Sequence, residues 1–149
     1  MTAVTLEDIA RMSGLEQLEL WRDGAFPVPT IGDLFGFAMT ELTDGQVSFE
    51  MTPDDRLLNP LGTIHGGVTA TLLDSAMACA VHSTLAPGSS YTTAQLNVHY
   101  LRAMSPGYGP VRVTGTVVHR GRKQSTAEAR LVGPDGKLIA HGTSACLIL

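Results

Sequence analysis

Three groups of residues have the types and spacing for chemistry: Asn59, the run His65-Gly66-Gly67, and Asp74. His65 follows Asn59 by six positions and precedes Asp74 by nine. Asp74 is the only formally charged residue in the apolar run 68–85, in which Val68, Leu72, Ala76, Met77, Ala80 and Val81 recur at helical spacing. On such a helix Asp74 projects between Ala70, Met77, Ala78 and Val81, so folding takes its carboxylate out of water unless a cleft or hydrogen-bond donors meet it. Burial without a partner raises a carboxyl pKa. Two glycines where the helix begins let a backbone or a ligand approach closely, and the first helical turn leaves N–H groups free to bind an oxyanion. One helix therefore offers both an electrophile holder and a carboxylate.

The elements that must position these groups follow from the pattern on either side. Thr5 with Asp8 and Ser13 with Glu16 each read as a helix start with an acid three residues later, which predicts two short helices in an N-terminal extension over residues 1–30. Phe26-Pro27-Val28-Pro29 breaks helix and connects. Residues 37–42 and 46–51 flank Asp44-Gly45, with Val47, Phe49 and Met51 alternating against polar neighbours, as in a β-hairpin. After the central helix, 91–102 alternates Leu96, Val98 and Tyr100 with Gln95, Asn97 and His99, which predicts a half-buried strand. Strands over 111–120, 124–132 and 137–148, separated by Gly121 and by Gly133-Pro134-Asp135-Gly136, suit an antiparallel meander. The expectation is an α+β fold in which a curved antiparallel sheet covers one long central helix.

Composition narrows the class. With 149 residues and 44% hydrophobic content, the chain suits one domain over 1–149. The N-terminus shows neither the basic and apolar segments of a signal peptide nor a mitochondrial presequence, which predicts a cytoplasmic protein. The run 68–85 is interrupted by Asp74 and His82 and reads as a core helix, so no membrane partner is expected. Cys79 and Cys146 lack zinc-type spacing and read as reduced core thiols. His82, His99, His119 and His141 have no metal-ligand spacing, and no metal site is expected. Residues 1–55 hold eleven acids and two bases, whereas 56–149 hold three acids and eight bases. Three of those bases stand together as Arg120-Gly121-Arg122-Lys123, a cluster suited to nucleotide phosphates. It is short, without aromatic interleaving, in a chain of net charge −4, which argues against a nucleic-acid partner.

Asn59, Gly62, His65-Gly66-Gly67 and Asp74, supported by Tyr91-Thr92-Thr93, by 97–102, by 119–122 and by 136–140, resemble the hotdog-fold acyl-CoA thioesterases of the PaaI-like branch. A related branch carries glutamate at the aspartate position. The resemblance implies a hotdog fold whose sheet wraps the helix, and a homodimer or homotetramer with each active site at a subunit interface. It implies hydrolysis of an aryl- or medium-chain acyl-CoA without a resident cofactor, since coenzyme A belongs to the substrate. By the same resemblance the Gly66 N–H forms the oxyanion hole, with Gly67 as a possible contributor, and Asp74 is the general base or nucleophile. Asn59 holds water or orients the carboxylate, Thr93 or its neighbour Thr92 assists with a hydroxyl, and His65 shapes the turn. Arg120, Gly121, Arg122 and Lys123 grip the coenzyme, with Arg102 a weaker candidate for the same role.

Two other functions fit the fold. A hotdog hydratase or dehydratase needs a catalytic histidine paired with an acid on a different loop, which His65 does not match. A non-catalytic acyl-CoA-binding or sensor module tolerates loss of the carboxylate, and the presence of both Asn59 and Asp74 argues against it.

Overall fold

The computed structural model describes residues 4–149, so the first three residues of the expected N-terminal extension lie outside the described residues. Three short helices open the chain: α1 Leu6–Ala10, α2 Gly14–Arg22 and α3 Ile31–Phe35. The capping boxes at Thr5/Asp8 and Ser13/Glu16 form as the sequence predicts. The third helix is not among the expected elements. Five residues are too few for a helical period to register, and its signal is the Thr30 N–H, which donates to the Asp33 carboxylate at 2.6 Å.

Strands β1 Phe37–Thr43 and β2 Gln46–Met51 form the hairpin around Asp44-Gly45, where Gly45 adopts a φ of 84°. A 3-10 turn, Asp55–Leu57, interrupts the next loop. The central helix α4, Gly66–His82, starts at the glycine pair itself, two residues earlier than the apolar run, and ends three residues before Leu85. It is followed by β3 Tyr91–Tyr100, β4 Val111–His119, β5 Gln124–Val132 and β6 Leu138–Ile148.

All six strands join one antiparallel sheet in the order β1-β2-β4-β5-β6-β3. The last three strands are the expected meander, but β3 crosses over and pairs with β6, becoming the second edge of the sheet. That position explains a departure from the sequence pattern. Leu96 and Tyr100 were expected to be half-buried, yet they are 36% and 55% exposed, because an edge strand has a neighbour on one side only.

Helix α4 packs on β2, β4, β5, β6 and β3. Leu72, Leu73, Ala76, Met77, Ala80 and Val81 are buried against Val47, Phe49, Val113, Leu131 and Ile139. Full burial of each large aliphatic side chain contributes roughly 1.5–3 kcal/mol. The helix lies so close to the sheet that a Cβ at Gly115 would fall 2.3 Å from the Ala76 carbonyl. Among the described residues no helix is long and apolar enough to cross a membrane. The arrangement is the hotdog fold, with its helix held along the sheet's apolar face.

Candidate active site

Helix α4 begins with His65, whose ring reaches back over the first turn. His65 Nδ1 accepts a hydrogen bond from the Gly67 N–H at 2.8 Å, so the histidine acts as an N-cap. The Gly66 N–H finds no acceptor among the described residues. The sequence leaves both glycines as oxyanion donors; the structure occupies one and leaves the other at the positive end of a 17-residue helix. The Tyr100 hydroxyl donates to the Gly66 carbonyl at 3.0 Å, anchoring this turn to the far end of β3. Sequence reasoning gave Tyr100 no role.

Asp74 lies midway along α4 and is only partly buried. Its Oδ1 accepts from Thr93 Oγ1 at 3.0 Å. Thr93 is half-buried while Thr92 is exposed, so of the two adjacent hydroxyls Thr93 is the one beside the carboxylate. Burial, reinforced by the Asp74 charge, pushes the Cys79 thiol up to about 12, and burial also raises Cys146 and Tyr91 above their ordinary values. Both cysteines are free, buried thiols. Further along, burial holds His82 below its usual value; its ring lies edge-on to Tyr91, 5.3 Å between centroids.

Asn59 is held by its own loop. Its Oδ1 accepts from the Leu61 N–H at 2.9 Å and the Thr63 N–H at 3.3 Å, and its Nδ2 donates to Thr63 Oγ1 at 2.9 Å. The side chain thus closes the loop before the helix, with Gly62 at a φ of 80°, and makes no hydrogen bond to Asp74 within the chain. One amide hydrogen remains for a ligand.

The basic turn divides into two parts. Arg120 is tied to Asp44 Oδ2 at 2.8 Å across the hairpin, and the Gly121 N–H donates to Ser125 Oγ at 3.3 Å, so both are committed to the turn's own architecture. Arg122 and Lys123 are exposed and have no ion-pair partner among the described residues. Arg102, beyond the end of β3, lines a cleft of about 290 Å³ with Gly66, Thr69 and Tyr100, which puts it beside the helix start. On the other side of that start, a cleft of about 390 Å³ is lined by Phe35, Leu57, Leu58, His65, Val68 and Thr71. No group of three or more metal-ligating side chains occurs among the described residues.

The chain thus offers a free helix-terminal N–H with Arg102 beside it, a carboxylate braced by a hydroxyl farther along the same helix, and exposed Arg122 and Lys123. The chain is similar to known thioesterases. The family model described as the thioesterase superfamily matches residues 61–140, more than half of the chain. Human acyl-coenzyme A thioesterase 13 is 36% identical over 101 residues, covering 66% of this chain and 69% of that protein. A phenylacetic acid degradation-related protein from Ralstonia eutropha superposes with a TM-score of 0.78 at 29% identity, covering 88% of this chain and 98% of that one. The PaaI protein of E. coli shares the fold, with a TM-score of 0.79 at 20% identity over 92% of this chain and 96% of that one.

Proposed function

The chain belongs to the thioesterase superfamily, and from that premise we propose that it hydrolyses the thioester bond of aryl- or medium-chain acyl-CoA substrates, with Asp74 and the Gly66 N–H as its chemical groups. One observation carries the proposal: His65 takes the Gly67 N–H and leaves that of Gly66 free, on the same helix that holds the partly buried Asp74 carboxylate.

These two groups cannot serve one thioester from a single chain. Gly66 and Asp74 are eight positions apart on α4, which separates them by about 12 Å along the axis, whereas reacting atoms must come within about 3–3.5 Å. Strand β3 supports a way to unite them. Thr93, near its start, marks Asp74, and Tyr100, at its end, holds Gly66. Antiparallel pairing of β3 with its copy sets the start of one strand against the end of the other. Asp74 then faces Gly66 of the partner subunit. The open edge is ten residues long and carries exposed Leu96, Tyr100 and, just beyond, Leu101, a surface that pairing would cover. The functional unit is a homodimer or a dimer of dimers.

In that site the thioester oxygen accepts the Gly66 N–H and gains negative charge beside the helix terminus as the carbonyl carbon becomes tetrahedral. Asp74 drives the attack, either by taking a proton from the water that adds to the carbon or by adding itself to give an anhydride that water opens. Either way the C–S bond breaks, coenzyme A leaves as its thiol after gaining a proton, and the acyl group leaves as a carboxylic acid. Thr93 fixes one carboxylate oxygen and leaves the other for the reaction. Arg122 and Lys123, with Arg102, hold the phosphates of the coenzyme.

The experiment is Asp74→Asn, assayed for thiol release on a panel of acyl-CoAs. Turnover falls at least roughly a hundredfold with folding intact. Undiminished hydrolysis removes Asp74 from the mechanism, and tight acyl-CoA binding without hydrolysis by the unaltered protein makes it a binding module instead.

A further inference from the structure

Gly66 opens on the cleft it shares with Tyr100 and Arg102, and the backbone amides on either side of it are engaged. The Ile64 N–H donates to the Met104 carbonyl at 2.9 Å and the His65 N–H to the Leu57 carbonyl at 2.8 Å. The Gly67 N–H donates to His65 Nδ1 at 2.8 Å and the Val68 N–H to the His65 carbonyl at 2.9 Å. Gly66 alone in this stretch has an N–H without an acceptor among the described residues. Such a donor assists a reaction only if it is aimed in advance at the oxygen that gains charge. Glycine is the residue least able to hold its own backbone, and a first-turn N–H has no helical bond to restrain it.

The restraint comes from two side chains. They grip both polar ends of the peptide between Gly66 and Gly67: its N–H donates to His65 Nδ1, and its carbonyl accepts from the Tyr100 hydroxyl at 3.0 Å. His65 belongs to the turn itself, whereas Tyr100 is mounted on the sheet. Tyr100 pairs with Ala140 of β6, and the N–H groups of Leu101 and Arg102 both donate to the Ile139 carbonyl, at 2.9 and 3.1 Å. Among the described residues the Tyr100 hydroxyl makes the one side-chain hydrogen bond from the sheet to the glycine pair. A phenylalanine would supply the same ring against Gly66, where an added Cβ would fall 3.4 Å from Tyr100 Cε1. Only the hydroxyl supplies the bond, and at 55% exposure the side chain is not held there by burial.

We propose that Tyr100 is a positioning residue of the oxyanion hole, fixing the direction of the Gly66 N–H by tying the Gly66 carbonyl to the sheet. This rests on reading the Gly66 N–H as the oxyanion donor. The peptide that carries this donor is held at its other end by the Val68 N–H, and the two peptide planes meet at the Gly66 Cα. Release of the Gly66 carbonyl therefore lets the donor pivot. The two ends of β3 then divide the work, Thr93 aiming a carboxylate and Tyr100 aiming a backbone donor.

Tyr100→Phe keeps the ring and deletes the bond. Its kcat for acyl-CoA hydrolysis falls about tenfold while KM changes less than about twofold, because the donor acts on the charge that develops in the transition state. Tyr100→4-aminophenylalanine, which keeps an N–H donor at the ring's end, restores most of kcat. In Gly66→Pro protein, where the donor is gone, adding Tyr100→Phe changes the residual rate less than about twofold. The Gly66 amide resonance moves in Tyr100→Phe while those of Val113 and Leu131 stay in place. Unchanged kcat in Tyr100→Phe overturns the proposal, as does an equal loss in the native and Gly66→Pro backgrounds. A raised KM with kcat intact also overturns it, making Tyr100 a contact of the substrate. Full activity in Gly66→Pro alone instead removes the reading of Gly66 on which it rests.

Discussion

Thr93 Oγ1 donates to Asp74 Oδ1 at 3.0 Å, joining the edge strand of the sheet to the middle of the central helix. A hydrogen bond from a neutral hydroxyl to a charged group contributes about 1.5–3 kcal/mol, here spent on aiming the carboxylate. Thr93→Val is therefore expected to lower kcat by roughly tenfold to a hundredfold, with little change in KM. Thr93→Ser, which keeps the hydroxyl, restores most of the rate. Loss in Thr93→Ser with Thr93→Val near wild type would show that the methyl group, and hence packing alone, is what matters.

The basic turn gives a second prediction, now divided by the geometry. Arg122→Ala with Lys123→Ala raises KM for acyl-CoA and makes it less sensitive to salt, while acyl thioesters lacking the nucleotide are hydrolysed almost as before. Arg120→Ala changes KM little, because Arg120 already pairs with Asp44 in an exposed contact of the kind that contributes only about 0–1 kcal/mol. If Arg102→Ala raises KM more than the double variant does, the phosphates lie in the cleft beside Gly66.

Stability carries a pH signature from His82. Burial holds its folded pKa below 6.5, so between the folded value and 6.5 the unfolded chain binds a proton that the folded chain does not. Stability is full above that window and declines as the pH falls through it. Thermal melts from about pH 7.5 to about pH 5 should show Tm dropping on the acid side, and His82→Gln should flatten the drop. An unchanged slope in the variant assigns the acid sensitivity to other groups.

Much of this architecture can be read from the sequence where a single period persists. The long apolar run predicts α4, strict alternation predicts β2 and the hairpin, and the turn residues on either side predict β5. The flank position of Asp74 follows from helical geometry alone. What the sequence leaves open depends on contacts between distant segments. The edge position of β3 is set by its pairing with β6, and exposure of Leu96 and Tyr100 follows from that pairing. Thr92 and Thr93 are separable only once the strand's register is fixed, since one step reverses the facing side, and the ladder shifts between Thr93 and Gln95. Arg120 looks equivalent to Arg122 in the sequence because its partner, Asp44, is 76 residues away.

The central claim is that each reaction centre joins Asp74 of one subunit to Gly66 of the other. Gly66→Pro tests it cleanly. Gly66 is the first residue of α4, a position that favours proline, and His65 already has the extended φ of −59° and ψ of 135° that a following proline requires. The substitution deletes the N–H and adds a ring whose Cβ meets the Tyr100 ring at 3.4 Å, an ordinary contact distance. Asp74→Asn and Gly66→Pro proteins, each nearly inactive, are unfolded together and refolded as a mixture. In a mixed dimer both defects fall in one site and the other site is intact, so random pairing restores roughly a quarter of wild-type activity. Recovery to that level is the predicted result; a mixture no more active than its components would contradict the shared site.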